Sequence, residues 1–205
     1  MSNGKLVVFE GIDGSGKSTQ CKLLHDRLVE NGTNTTLVRE PGGTETGEHI
    51  RKWLSSGSDL NPMSEFLLFS AARSALLSQK IQPALNMGHI VISDRYMYSS
   101  IAYQSFGRGI APHKIRTINQ IVTDGLDADI VFLIDTPPEI SLKRIRNREG
   151  DRFEKETMQF HKKVRKGFKE LANQDESVWF TIDGETRTAN IHELIWGKLH
   201  EESII

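Results

Sequence analysis

The chain has 205 residues, 37% apolar and 26% charged, which suits one globular domain with a full core and excludes both disorder and two ordinary domains. A formal net charge of −1 gives no footprint for a nucleic-acid backbone or an anionic membrane, and no stretch nears the roughly 20 apolar residues of a membrane span. The lone Cys21 cannot close an internal disulfide and reads as a small core residue; the first apolar run is too short for a signal peptide, so the cytoplasm is the expected compartment.

That run, Leu6–Glu10, predicts a strand, and it leads into Gly11-Ile12-Asp13-Gly14-Ser15-Gly16-Lys17-Ser18. The segment fits Gly-x-x-x-x-Gly-Lys-Ser in the strand–loop–helix context that a phosphate-binding loop requires. Glycines let the backbone curl until its N–H groups converge on nucleotide phosphates. Lys17 is then expected to reach the β- and γ-phosphates, and the Ser18 hydroxyl to ligate Mg²⁺. A helix opening at Lys17 would aim its positive dipole end at the same anion, and its apolar positions run through Gln20–Glu30 to a stop at Asn31-Gly32.

A second strand, Thr35–Arg39, precedes a tight turn at Pro41-Gly42-Gly43 and a helix over Thr46–Leu54. Asn61 followed by Pro62 caps a long helix that runs toward Leu85. On it Phe69 and Arg73 lie four apart, share a face and could cooperate on one planar base, although Phe69 could equally be core. Arg73, set among Phe66, Leu67, Ala71, Ala72, Leu76 and Leu77, needs a partner: a base edge, or a carboxylate such as Glu40. Glu40 could instead position Arg95.

The third strand, His89–Asp94, ends in Asp94-Arg95-Tyr96, at the sheet edge where open α/β folds bind ligands. A carboxylate there can hold Mg²⁺ or its water while the arginine grips a phosphoryl oxygen, and the same tripeptide could be an ion pair at a strand end. Helices over Tyr98–Phe106 and His113–Gly125, a strand over Asp129–Asp135 and a helix over Pro137–Arg146 follow. Arg144, Arg146, Arg148 and Arg152 then fall within nine positions around Glu149-Gly150-Asp151. Such a run reads either as a solvated helix face or as a glycine-hinged lid that closes arginine over a transferring phosphoryl group.

A helix over Glu154–Ala172, a strand over Val178–Asp183 and a helix over Thr188–His200 complete the chain. The alternation predicts an α/β fold, a parallel sheet with helices on both faces, and without repeats or linkers it reads as a single domain, 1–205. The seven histidines show no metal-ligand spacing, and Trp53, Trp179 and Trp196 read as core anchors.

In combination these segments resemble the thymidylate kinase family, bacterial type, over nearly the whole chain. The resemblance rests on the phosphate loop, on Arg39-Glu40-Pro41-Gly42-Gly43-Thr44, Gly47-Glu48 and Arg51, and on Leu68-Phe69-Ser70-Ala71-Ala72-Arg73. It continues through Asp94-Arg95-Tyr96, Ser99-Ser100-Ile101-Ala102-Tyr103-Gln104, Gly107-Arg108-Gly109-Ile110 and Asp151-Arg152-Phe153-Glu154.

It implies a P-loop kinase fold whose five-stranded parallel sheet has the order 2-3-1-4-5, a lid at about 144–153, and a homodimer. The implied reaction is ATP:dTMP phosphotransfer to dTDP and ADP, with Mg²⁺ held through Ser18 and Asp94 and no nucleic-acid or membrane partner. ATP is expected on Gly11, Ile12, Asp13, Gly14, Ser15, Gly16, Lys17, Ser18 and Thr19. Asp13 is expected near the deoxyribose 3′-hydroxyl and the acceptor phosphate, and Arg39, Arg51 and Arg95 on that phosphate. Phe69 is expected to stack on thymine, Arg73 to donate to its O4, Ser100 and Gln104 to meet its remaining polar edge, and Tyr103 to crowd the sugar. Gly14 and Ser15 stand where other members carry a basic loop residue, which implies catalysis by the lid arginines Arg148 and Arg152 together with Lys17, Asp13 and Arg95. Two alternatives stay open: a deoxynucleoside kinase, which would want a general base, and a nucleotide-dependent switch, for which the chain lacks a guanine-reading Asn-Lys-x-Asp segment.

Overall fold

The computed structural model describes residues 4–56, 60–145 and 156–205. Strands β1 (Lys5–Glu10), β2 (Thr35–Arg39), β3 (Ile90–Asp94), β4 (Ile130–Asp135) and β5 (Trp179–Asp183) form a parallel sheet in the order β2-β3-β1-β4-β5, as the resemblance implied. β1 is central and buried on both faces. Successive side chains of a strand point to opposite sides, so Leu6 and Val8 enter one core layer while Val7 and Phe9 enter the other. That is why β1 reads as an unbroken apolar run rather than an alternating one.

Helices α1 (Lys17–Glu30) and α9 (Thr188–Glu201) cover one face, burying Cys21, Leu24, Leu28, Ile191, Ile195 and Leu199. The other face is covered by α3 (Pro62–Leu76), α6 (Pro112–Thr123) and α8 (Met158–Gln174), through Phe66, Leu76, Ile115, Val164 and Phe168. Helix α2 (Glu45–Ser55), capped by the Thr44 side chain accepting from the Gly47 N–H, packs on α3. The register Phe9↔Asp94 and Phe9↔Phe132 brings the C-terminal ends of β3, β1 and β4 to one edge, where the loops after them meet.

Four expectations are corrected. The helix from Asn61 toward Leu85 is not uniform: α3 passes into a π-helical turn, Leu77–Ile81, before α4 (Gln82–Asn86). Pro83 in the first turn of α4 lacks an N–H and crowds the carbonyl four residues back, so the wider turn precedes it. The helix over Tyr98–Phe106 is a short α5 (Met97–Ser100) followed by a π-helical stretch, Ile101–Gly107. Helix α8 starts at Met158 rather than Glu154, because the Thr157 hydroxyl caps it by accepting from the Phe160 N–H at 3.2 Å. Finally, Trp53 is not a core anchor: it is 52% exposed while Leu54 is 1% exposed, since one step along a helix turns a side chain by about 100°. Trp179 is buried as expected, and Trp196 packs against the second core layer with Arg27 at 4.0 Å over its ring.

Candidate active site

A cleft of about 600 Å³ opens at the C-terminal edge of the sheet, and the phosphate loop forms one wall. The loop needs its glycines for space as well as conformation. A Cβ on Gly14, at φ +78°, would sit 2.3 Å from the Ser141 carbonyl oxygen, and one on Gly11 would sit 2.6 Å from that of Ile134. Here Ser141 lies on α7 (Pro138–Ile145). Gly14, Ser15, Gly16, Lys17, Ser18 and Thr19 line the cleft with Asp13, whereas Gly11 and the buried Ile12 stand behind it. Lys17 is nearly enclosed and donates to the Ile12 carbonyl at 2.9 Å. Burial and the neighbouring Arg95 push its ammonium down, while Asp94, Asp13 and Glu10 pull it back up. The Ser18 hydroxyl donates to Asp94 at 2.5 Å, which joins the two expected metal-holding oxygens.

Arg95 sits at φ +75°, a backbone region sparsely used by non-glycine residues and found where function requires a strained placement. Its side chain is over-determined. Nη2 donates to Asp13 at 2.6 Å and to the Tyr103 hydroxyl at 3.1 Å; Nη1 donates to the Gly11 carbonyl and the Ser99 hydroxyl, each at 3.0 Å. Tyr103 in turn donates to the other oxygen of Asp13 at 2.7 Å. Burial alone would raise the Asp13 carboxyl, but Arg95, Lys17 and the Tyr103 hydroxyl outweigh it and hold Asp13 well below the usual carboxylate range. The π-helical stretch carrying Tyr103 and Gln104 turns both side chains into this cleft.

Glu10 is a site-building residue that the sequence reading missed. Fully buried, it accepts from the Tyr96 and Ser99 N–H groups at 3.0 Å and from the Ser99 hydroxyl at 2.6 Å, fixing the turn that presents Arg95. An acid ending an apolar strand one residue before the loop was the available signal.

On the opposite wall Arg73 is 2% exposed. Its Nε donates to Glu40 at 2.8 Å, Nη1 to Asn119 Oδ1 at 2.9 Å, and Nη2 to the Ser100 hydroxyl at 3.0 Å and the Tyr96 carbonyl at 3.3 Å. Of the two roles open to Glu40, partnering Arg73 is the one observed, while Arg95 is paired by Asp13. Half-buried Phe69 lines the cleft beside Arg73. Gln104 donates to Glu65 at 3.0 Å, and Glu65 also accepts from Arg108. Arg39 and Arg51 stand at the rim, both facing Glu48, at 2.9 and 3.7 Å. Arg144 lines the cleft and donates to the Gly184 carbonyl at 3.0 Å and the Ser15 carbonyl at 3.4 Å. Arg146, Arg148, Arg152 and the lid segment beyond Ile145 lie outside the described residues.

Burial pushes the Glu40 carboxyl up to about 7, against the pull of Arg73. A carboxyl raised on folding contributes stability that is complete below its unfolded pKa and lost as pH rises through its folded one. The melting temperature of the wild type relative to Glu40→Gln should therefore fall between about pH 4.5 and 7, and a constant difference over a pH series of melts would contradict it.

The family model for thymidylate kinase matches residues 9–195. The chain is 41% identical to a thymidylate kinase of Thermoanaerobacter sp. (strain X514) over 191 residues, 93% of this chain and 94% of that protein. It is 42% identical to one of Sulfurihydrogenibium sp. (strain YO3AOP1) over 204 residues, 98% of this chain and all (100%) of that protein. The crystal structure of thymidylate kinase from Ehrlichia chaffeensis superposes with a TM-score of 0.79 at 34% identity, covering 96% of this chain and 99% of that one.

Proposed function

The chain belongs to the thymidylate kinase family, and from that premise we propose that the cleft holds ATP and dTMP end to end, with the residues described above in the following roles. The reaction is the ATP-dependent phosphorylation of dTMP to dTDP. One observation carries the site assignment: a single cleft has the phosphate loop with Lys17 on one wall and the Phe69–Arg73 pair on the other, with Asp13, Arg95 and Tyr103 between them.

In this reading the loop N–H groups and Lys17 hold the donor phosphates, while Arg95, with Arg39 and Arg51 at the rim, holds the acceptor phosphate. An oxygen of the dTMP phosphate attacks the γ-phosphorus, a bond forms there as the bond to the bridging oxygen breaks, and ADP leaves with that electron pair. No general base is required, because the attacking oxygen is already anionic once its charge is shielded. This favours dTMP over a deoxynucleoside acceptor. Asp13, which lies between the two walls, is a poor base, since both its oxygens are engaged and its carboxyl is pulled down.

Ser18 and Asp94 fit Mg²⁺: both offer hard oxygen, their oxygens lie 2.5 Å apart, and this ion takes few protein ligands beside phosphate and water. When bound, Mg²⁺ would neutralise charge on the donor phosphates. We further assign Arg148 and Arg152 to a lid at about 144–153 of a single domain, and the compartment to the cytoplasm. A homodimer fits the exposed Trp53, Leu67 and Ile121 on α2, α3 and α6, of which α3 packs against each of the other two.

A coupled ADP-release assay over dTMP, thymidine and the other nucleosides and monophosphates tests the assignment. Turnover is expected with dTMP and not with thymidine; a preference for thymidine, or no acceptor-dependent release, would overturn it.

A further inference from the structure

We propose that Asn119 is a positioning residue for base selection, acting through Arg73. The proposal rests on the reading that Arg73 faces the thymine O4. An arginine carries five N–H donors in a rigid planar fork. In Arg73 four are committed: one to Glu40, one to Asn119, and two to Ser100 and the Tyr96 carbonyl. The fifth is the second N–H of Nη1, and it is the donor that remains for a ligand. Which way it points depends on which proton of Nη1 the Asn119 oxygen takes.

Asn119 is built to make that choice unambiguous. It is 2% exposed on α6, and its Nδ2 donates to the Met97 carbonyl at 3.0 Å. That second bond fixes the amide, so Oδ1 must face Arg73 and the reversed orientation would set two donors against each other. A buried amide whose only task was to fill space would be replaceable by an apolar side chain at little cost. Here both ends of the amide are used, one on the guanidinium and one on the turn that leads from Arg95 to Ser100. The guanidinium is thus clamped from three elements: the turn after β2 through Glu40, α5 through Ser100, and α6 through Asn119. Asn119 supplies a neutral acceptor that fixes direction without adding a second buried carboxylate beside the base.

The test is selectivity, which a purely structural role would not move. We measure kcat/KM for dTMP and dCMP, KM for ATP, and melting temperature in wild type, Asn119→Ala, Asn119→Asp and Arg73→Lys. Asn119→Ala is expected to raise the KM for dTMP about tenfold and to cut the dTMP:dCMP ratio by about as much, with kcat and the KM for ATP changed less than twofold. Asn119→Asp keeps an acceptor for Arg73 but sets an oxygen against the Met97 carbonyl and adds a buried charge, so it should recover most of the ratio at a lower melting temperature. If Asn119→Ala does not fold, Asn119→Leu, which fills the same space without an acceptor, carries the same expectation. A ratio unchanged in the alanine or leucine variant, or lost equally in the aspartate variant, overturns the role of Asn119. A ratio unchanged in Arg73→Lys overturns the reading of Arg73 itself, which is a different failure.

Discussion

Lys17→Ala should lower kcat by at least a hundredfold while leaving the sheet and its loop in place. Lys17 is 5% exposed, and the donation of its ammonium to the Ile12 carbonyl holds it at the loop. A fixed cation in a water-poor site stabilises the charge that builds on a transferring phosphoryl group far more than a solvated one does, by roughly 3–4 kcal/mol, or two to three orders of magnitude in rate. The structural cost is smaller. Removing Lys17 frees one carbonyl next to solvent-lined space and relieves a burial that already pushes the ammonium down. Steady-state kcat measured beside a thermal melt separates the two effects. A variant that kept more than about a tenth of wild-type kcat with an unchanged melt would remove Lys17 from the reaction.

What could be read from the chain divides by the range of the interactions involved. The phosphate loop and the strand before it are local, so composition and spacing sufficed. The sheet order came from the resemblance, and no periodicity would have given it. The π-helical stretch at Ile101–Gly107 was not legible, because its apolar positions fit an α-helical reading as well and the wider turn is stabilised by tertiary packing against α8. Arg73 was legible as a problem, a buried cation in need of a partner. Glu40 was already a candidate partner, but the choice of it was not legible, because it lies 33 positions away and is brought there by the fold. Asn119 was invisible for the opposite reason: a single amide has no pattern, and only the bonds it makes distinguish it from a surface residue.

The base discrimination should follow an order set by magnitude. One methyl in an apolar pocket is worth about 1–3 kcal/mol, so dUMP should be a poor but measurable substrate. dCMP differs in kind. Four N–H groups of Arg73 are taken by Glu40, Asn119, Ser100 and the Tyr96 carbonyl, so what the guanidinium offers a base is its remaining donor. The N4 amine would point donors at donors, and a site built on hydrogen bonds rejects such a mismatch by about 10⁴-fold or more, because buried groups are left unpaired on both sides. Purine monophosphates should be excluded by size. Arg73→Ala alone would strand Glu40, a carboxylate whose side chain is 5% exposed, and destabilise the fold for reasons unrelated to the base. The informative variant is therefore Arg73→Ala combined with Glu40→Gln. It should narrow the gap between dUMP and dCMP, chiefly by crippling dTMP and dUMP rather than by improving dCMP. Wild-type enzyme that used dCMP as well as dUMP would show that Arg73 does not read O4, and the clamp of Glu40, Ser100 and Asn119 around it would then need another purpose.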